Sequence, residues 1–183
     1  MADDRITFCE LEWKIAWNVR GDPARSAFVA EATRLIRLAL PLEPNTTARR
    51  AGVTVLWLGP KSWLIVSERD DIADDFDAAR ATLKPAGCAL FDLSASYAGW
   101  KASGPNIARV LNRGCPLDFH PRAFAAGACA QSMLGHMGAL YYRPAEATEF
   151  VIVVARSFAI DAWHGLRAMA EADGYRIGPR TSF

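Results

Sequence analysis

Long apolar runs are missing from the sequence. A run such as VIVVA at residues 151–155 is far shorter than the roughly 20 apolar residues that a membrane-spanning helix needs. The first residues, MADDRITFCELEW, are acidic and contain no apolar segment of the kind found in secretory signal peptides. We therefore expect a cytoplasmic protein.

An excess of charge and a metal-binding pattern of cysteines are also missing. The 21 basic and 20 acidic side chains give a formal net charge of +1, without the basic field that nucleic-acid binding requires. The four cysteines form no Cys-x-x-Cys pair, and we expect reduced thiols. Cys115, His120, Cys129 and His136 are close in sequence, but their gaps match no zinc pattern. We expect no metal site.

Motifs for nucleotide binding and nucleophilic catalysis are absent as well. Neither G-x-G-x-x-G nor G-x-x-x-x-G-K-[ST] occurs, so we do not expect this chain to bind NAD, FAD or ATP. No G-x-S-x-G motif supports a triad of Ser132, His136 and Asp118. We expect no catalytic residue.

Apolar residues, which make up 51% of the chain, instead recur with the periods of helices and strands. Asp22 is predicted to cap the first helix, with Pro23 at its first position. The predicted elements are a strand at 11–20, that helix up to Pro41, a hairpin at 53–68, a helix at 70–87 that includes Ile72, one or two strands at 88–105, a short helix at 105–114, a hairpin at 138–157 and a helix at 158–174. Residues 115–136 are predicted to be irregular.

This order contains a duplication, in which strand, helix, hairpin, helix and strand occur over about 11–97 and again over about 98–180. Gly21 aligns with Gly104, and WLIVSE (63–68) aligns with FVIVVA (150–155). The pattern predicts an α+β fold with two similar halves, each an antiparallel sheet covered by helices. Because no linker rich in Gly, Ser or Pro separates the halves, we expect one compact domain over 1–183.

Three segments in a fixed order resemble one family. WLGPKSWLIV, FDLSASYAGWKASGPNIARVLNRGCPLDFHPRAF and VARSFAIDAW are similar to the gamma subunit of heterotetrameric sarcosine oxidase, and the resemblance covers about residues 45–170. That family is related to the folate-binding domain of the glycine-cleavage T-protein, which implies the same duplicated fold.

The resemblance implies a non-catalytic subunit that supports the assembly of a flavin-dependent complex with alpha, beta and delta subunits. Such a complex oxidises sarcosine to glycine and yields formaldehyde or methylene-tetrahydrofolate. FAD, FMN, NAD, zinc and tetrahydrofolate are then expected in the other subunits and none of them in this chain.

The sequence departs from its relatives at two places. Lys61 and Ser62 replace the acidic residues that usually follow Gly-Pro in the family, which implies a different partner surface. Tyr141 and Tyr142 stand about where the T-protein has its catalytic carboxylate, so one-carbon transfer has no obvious proton acceptor. The alternative function is a stand-alone folate-binding or one-carbon-transfer protein of the T-protein type, which needs a pocket lined by an acid and aromatic side chains.

Asp92, Ser94 and Arg156 are the remaining candidates for ligand binding. Asp92 and Ser94 belong to the FDLS segment, which the T-protein family shares. We favour a structural role for both, because short polar side chains routinely accept backbone N–H groups at turns. Arg156 could bind a carboxylate, pair with Asp161 or face a partner subunit.

The hairpin WLGPKSWLIV raises the question of a partner surface. With Gly59–Ser62 as a four-residue turn, Trp57 lies opposite Leu64 and Leu58 lies opposite Trp63, so the tryptophans point to opposite faces. Both faces are apolar and need a cover, from the chain's own helices, its second half or a partner. We predict that one of the two tryptophans, but not both, is partly exposed. Trp57, Lys61 and Trp63 are the candidate interface residues.

Overall fold

The chain folds into two compact units. A computed structural model describes residues 5–68, 76–144 and 148–183. One unit is Trp13–Ala95, and the other combines Met1–Glu12 with Ser96–Phe183, the two segments that flank the first unit in the sequence. We call them the inner unit and the outer unit. Their boundary is close to the predicted repeat boundary at 97, while the expectation of one compact domain stays a prediction.

The described residues contain twelve strands, four α-helices and three short 3-10 helices at Lys84–Ala86, Arg156–Phe158 and Glu171–Asp173. The strands are β1 Ile6–Glu12, β2 Ile15–Arg20, β3 Thr47–Arg50, β4 Val53–Gly59, β5 Ser62–Ser67, β6 Ala89–Asp92, β7 Tyr97–Ser103, β8 Cys129–Leu134, β9 Met137–Tyr142, β10 Glu149–Ala155, β11 Tyr175–Ile177 and β12 Thr181–Ser182. The helices are α1 Ser26–Ile36, α2 Phe76–Leu83, α3 Ile107–Leu111 and α4 Ala159–Ala170.

The inner unit is an antiparallel sheet in the order β3-β4-β5-β2-β6, with α1 and α2 packed on one face. Its core contains the fully buried Trp63, whose ring lies 5.5 Å from that of Phe28 on α1. The Trp63 indole N–H donates to the carbonyl of Pro41, 2.7 Å away. A single side chain thus links the hairpin to the helix and to the segment that follows it.

The outer unit has the sheet order β11-β1-β7-β10-β9-β8, and β12 extends it by pairing with β1. One face of this sheet packs on α3 and α4 in a core rich in aromatic side chains. Phe119 lies at its centre, with ring distances of 5.0 Å to Tyr141 and 5.2 Å to Phe150.

The duplication is present in the strand orders. The run β3-β4-β5-β2 in the inner unit corresponds to β8-β9-β10-β7 in the outer unit, with α1 and α2 corresponding to α3 and α4. The α+β fold with antiparallel sheets covered by helices is therefore confirmed. The halves differ at one edge, because β6 pairs directly with β2 whereas β11 is separated from β7 by the inserted strand β1.

The first helix starts later than predicted. Asp22 Oδ1 accepts the N–H of Ala24 at 3.2 Å, and the Asp22 carbonyl accepts the N–H of Arg25 at 3.0 Å. These bonds close a turn, so that Arg25 is the N-cap and the helix begins at Ser26. Asp22 stabilises the approach to the helix instead of capping it.

Two further boundaries also differ from the prediction. The strand predicted at 11–20 is divided between the end of β1 and the whole of β2. The region 115–136, predicted to be irregular, contains the strand β8, which lies at the sheet edge and carries the polar residues Gln131 and Ser132. The start of the helix predicted at 70–87, with Ile72, lies outside the described residues.

Among the helices of the described ranges, none combines the length and the apolar character that crossing a bilayer requires.

Gly21 provides a test of the packing in the inner unit. A Cβ at this position would lie 2.5 Å from carbons of the Phe28 ring, which is fully buried. We expect Gly21→Ala to lower the free energy of unfolding by about 1–3 kcal/mol, because the ring must move within a packed core. Gly138→Ala is the control, since a Cβ there meets nothing within 4 Å. Equal urea midpoints for the two variants would contradict this packing.

Candidate functional site

The β4–β5 hairpin has a register one residue different from the predicted one. Trp57 pairs with Trp63 and Val55 pairs with Ile65, and the register shifts between Trp57 and Gly59. Leu58 is therefore an extra residue in a β-bulge, which the prediction of a plain four-residue turn did not include. Because paired residues share a face, the prediction that the two tryptophans point to opposite faces is wrong.

Both tryptophans lie on the face that packs under α1, and they differ in exposure. Trp63 is fully buried, whereas Trp57 is half-buried, so the prediction that only one of the two is partly exposed is confirmed. Trp63 offers no surface to a partner, which corrects its place among the interface candidates. Leu56 and Leu64, on the opposite face of the hairpin, are also buried.

Lys61, at the hairpin turn, is exposed and ion-paired. Its Nζ lies 3.1 Å from Asp22 Oδ2. The N–H of Ala24 and then the Lys61 ammonium group lower the pKa of the Asp22 carboxyl group. Lys61 thus connects the hairpin turn to the segment before α1 and stays accessible to a partner surface.

Asp92 and Ser94 form a network of local hydrogen bonds. Asp92 Oδ1 accepts the Ser94 N–H at 2.9 Å and the Ser94 hydroxyl at 2.6 Å. Ser94 Oγ accepts the N–H of Ala16 at 2.9 Å, and the Ser94 carbonyl accepts the indole N–H of Trp13 at 3.0 Å. These bonds attach the segment after β6 to the start of β2, as the structural interpretation of the pair requires.

Arg156 is exposed and belongs to the outer unit. Its Nη2 donates to the carbonyl of Tyr97 at 2.6 Å, and its backbone N–H donates to the carbonyl of Ser96 at 2.8 Å. Arg156 thereby attaches the end of β10 to the start of β7.

Tyr141 and Tyr142 are buried neighbours on β9, so their side chains point to opposite faces of the sheet. The Tyr141 hydroxyl donates to the carbonyl of Met133 at 3.0 Å, and burial raises the pKa of this phenol far above its ordinary value. The Tyr142 ring stacks on that of Phe183, with centroids 5.9 Å apart. Both tyrosines act as core residues.

The candidate metal ligands Cys115, His120, Cys129 and His136 do not form a cluster. Cys115 and Cys129 are buried, whereas His120 and His136 are exposed. Within the described parts of the chain, no group of three or more His, Cys, Asp and Glu side chains is arranged to hold a metal ion.

A groove of about 360 Å³ lies on the outer unit and was not predicted from the sequence. Its walls come from β1, β7, β11 and α4, and the lining residues are Phe8, Glu10, Trp100, Ala159, Ile160, Trp163 and Ile177. The indoles of Trp100 and Trp163 are stacked, 6.2 Å apart. Ile160 is 73% exposed and Ile177 is 67% exposed, which is unusual for side chains of this size.

One acidic side chain lies among these apolar walls. Glu10 Oε2 is 3.1 Å from Nε of Arg180, and both side chains are exposed. Among the lining residues, the sequence indicates exposure only for Ile160. This apolar residue lies outside the helical stripe of Ala162, Leu166 and Ala170 that α4 buries. The groove itself joins strands and a helix that are distant in sequence.

The Ser94 network gives the second testable prediction. Ser94→Ala removes the acceptor of the Ala16 N–H and one donor to Asp92, so we expect a loss of about 1–2 kcal/mol in unfolding free energy. Amide exchange at Ala16 should also become faster. Ser157→Ala, at an exposed site, is the matched control. Unchanged stability and exchange in Ser94→Ala would reopen the ligand role of Asp92 and Ser94.

Comparisons with known proteins identify relatives that match most of the chain. Residues 20–172 match the family described as "Sarcosine oxidase, gamma subunit family". Sarcosine oxidase subunit gamma of Corynebacterium sp. (strain P-1) is 32% identical over 165 residues, which cover 88% of this chain and 79% of that protein. The subunit of the same name from Arthrobacter sp is 32% identical over 149 residues, covering 80% and 71%.

Two solved structures have a similar fold. A chain of the heterotetrameric sarcosine oxidase from Corynebacterium sp. U-96, in complex with pyrrole 2-carboxylate, matches with a TM-score of 0.84 and 27% identity, covering 97% of this chain and 91% of that chain. Aminomethyltransferase T of the glycine cleavage system from Bartonella henselae matches with a TM-score of 0.61 and 14% identity, covering 96% and 48%. The second likeness concerns the fold alone.

Proposed function

Because the chain belongs to the sarcosine oxidase gamma subunit family, we propose that it is a non-catalytic subunit that supports the assembly of a heterotetrameric, flavin-dependent sarcosine oxidase. In this proposal its partners are the alpha, beta and delta subunits, and the complex works in the cytoplasm. FAD, FMN, NAD, zinc and tetrahydrofolate are carried by those partners, as the family resemblance implies.

The groove on the outer unit is the observation that carries the assembly role. Two large aliphatic side chains, Ile160 and Ile177, are more than two-thirds exposed beside the stacked indoles of Trp100 and Trp163. A largely apolar surface of this kind is typical of a protein interface, because covering it removes apolar area from water. We assign this surface to another subunit of the oxidase.

The hydrogen bonds of the candidate polar residues support a non-catalytic role. Asp92 and Ser94 bond to each other and to β2, and Arg156 bonds to the backbone before and at the start of β7. Tyr141 is buried with a raised pKa, and its hydroxyl group donates to a backbone carbonyl. Each of these groups makes structural hydrogen bonds, which explain its position without a catalytic role.

The double variant Ile160→Asp/Ile177→Asp tests the assembly role. We expect it to co-purify with the alpha, beta and delta subunits at least about tenfold less than the wild type, because two carboxylates would be desolvated at an apolar interface. The fold should be unaffected, since both side chains are exposed. Quantitative pull-down from a co-expression strain measures the effect.

Leu42→Asp is the matched control for this experiment, because Leu42 is an exposed apolar residue of the inner unit, at 53% exposure. It should assemble like the wild type. Assembly of the groove variant at the wild-type level would show that this surface is not the interface.

A second candidate function is favoured by the lining of the same groove. A stand-alone folate-binding or one-carbon-transfer protein needs an acid beside aromatic side chains, and Glu10 lies here with Phe8, Trp100 and Trp163. The carboxylate could pair with an amino group of a pterin, and the indoles could stack on its ring.

Titration of the isolated chain with tetrahydrofolate separates the two functions. A ligand that binds only the folded state raises the unfolding temperature once its concentration is well above Kd. If the groove serves only assembly, no shift should occur up to millimolar tetrahydrofolate. A saturable shift that Trp163→Ala abolishes would favour the folate-binding function over the one that we propose.

A further inference from the structure

The two halves of the duplication differ in how one sheet edge ends. In the outer unit, β1 pairs antiparallel with β7, and β11 then pairs parallel with β1. In the inner unit, β6 pairs antiparallel with β2, which corresponds to β7, and β6 is the last strand of the sheet. The strand β6 thus takes the place of β1, and no described strand takes the place of β11 beside it.

The hydrogen-bond pattern shows which groups of β6 point toward this edge. The N–H of Leu93 donates to the carbonyl of Ala16 at 2.8 Å, which places these two residues at a hydrogen-bonded position of the ladder. Such pairs alternate along an antiparallel ladder, and with the observed register the next ones are Asn18 with Phe91 and Arg20 with Ala89. The N–H and C=O groups of Leu90 and Asp92 therefore point away from β2.

A groove of about 380 Å³ lies along β6 and α2. Residues of β6 and the preceding Cys88 form one side, and Asp77, Arg80, Ala81 and Lys84 form the other. Phe91 presents an apolar ring on this strand, with 46% of its surface exposed. An edge strand with a groove beside it is the geometry to which extended peptides add.

The side chains around the groove are mainly cationic. Arg80 and Lys84 line it, Arg25 lies against Gly87 at its end, and the guanidinium group of Arg20 lies 5.7 Å from the Phe91 ring. The acidic groups are Asp77, Asp92, which is bonded to Ser94, and Glu31, which lies close enough to act on the Cys88 thiol, so cations still outnumber them. This balance favours an acidic segment, because opposite charges across an interface fix partner choice.

From these observations we infer that the edge of β6 binds an extended, acidic segment of a partner polypeptide, which adds to the inner sheet as a strand parallel to β6. The added strand takes the position that β11 has beside β1. Its backbone bonds to Leu90 and Asp92, and its acidic side chains face Arg80 and Lys84. This inference rests on the proposed function, since the partner is another subunit of the oxidase.

Hydrogen exchange with residue-resolved mass spectrometry tests the backbone part of the inference. The isolated chain is compared with the complex purified after co-expression with the alpha, beta and delta subunits. On assembly, we expect exchange at the amides of Leu90 and Asp92 to slow by about tenfold or more. The amides of Ala89 and Phe91 already bond to β2 and should be protected in both samples, which makes them internal references.

The charge part is tested with Arg80→Glu/Lys84→Glu. We expect assembly to weaken about tenfold or more, because acidic side chains would then face each other. Arg50→Glu/Arg122→Glu reverses two other exposed cations as the matched control and should assemble normally. Thermal unfolding of each variant checks its fold.

The outcomes separate this inference from the proposed function. Protection of Leu90 and Asp92 in the complex, with weaker assembly of the Arg80/Lys84 variant only, supports the added acidic strand. If the wild type assembles while these two amides stay unprotected, or while the Arg80/Lys84 variant assembles equally well, the inference fails and the proposed function stands. If the wild type assembles with none of the subunits, both fail.

Discussion

The burial of Trp63 is the interaction on which the inner unit depends. Its ring packs against Phe28 of α1, and its indole N–H reaches the carbonyl of Pro41 beyond the end of that helix. Phe28 in turn fills the space over Gly21, where the chain leaves β2. Loss of a fully buried aromatic side chain costs about 3–5 kcal/mol, whereas an exposed ion pair such as Lys61–Asp22 is a minor contribution. Packing under α1 therefore decides the position of the hairpin.

The helices and the duplication could be predicted from the sequence because each rests on a local pattern. α1 and α4 each bury a stripe of residues with helical spacing, and hairpins of the two halves align in sequence. The hairpin register was predicted wrongly, since a plain four-residue turn was assumed and the bulge at Leu58 shifts the pairing by one residue. The edge strand β8 was missed for a related reason, because Gln131 and Ser132 interrupt its apolar pattern.

The candidate sites show the same difference between local patterns, which the sequence predicts, and contacts between distant segments, which it does not. The pair Asp92 and Ser94 is local, and the preference of such side chains for turns predicted its structural role correctly. The groove around Trp163 joins α4 to the N-terminal strand β1 and to β11, which are distant along the chain. The insertion of β1 is also what makes the two halves unequal, and only the observed topology reveals it. The two surfaces that we propose for partners thus lie where the duplication is imperfect, at the outer groove and at the edge of β6.

We propose that this chain is a physical part of an oxidase complex and adds no chemistry of its own. The most direct measurement is the native mass of the protein purified after co-expression with the alpha, beta and delta subunits. We expect one complex that contains this 20.0 kDa chain in a fixed ratio to the other three subunits. A chain that elutes alone, while the other three subunits assemble without it, would contradict the proposal.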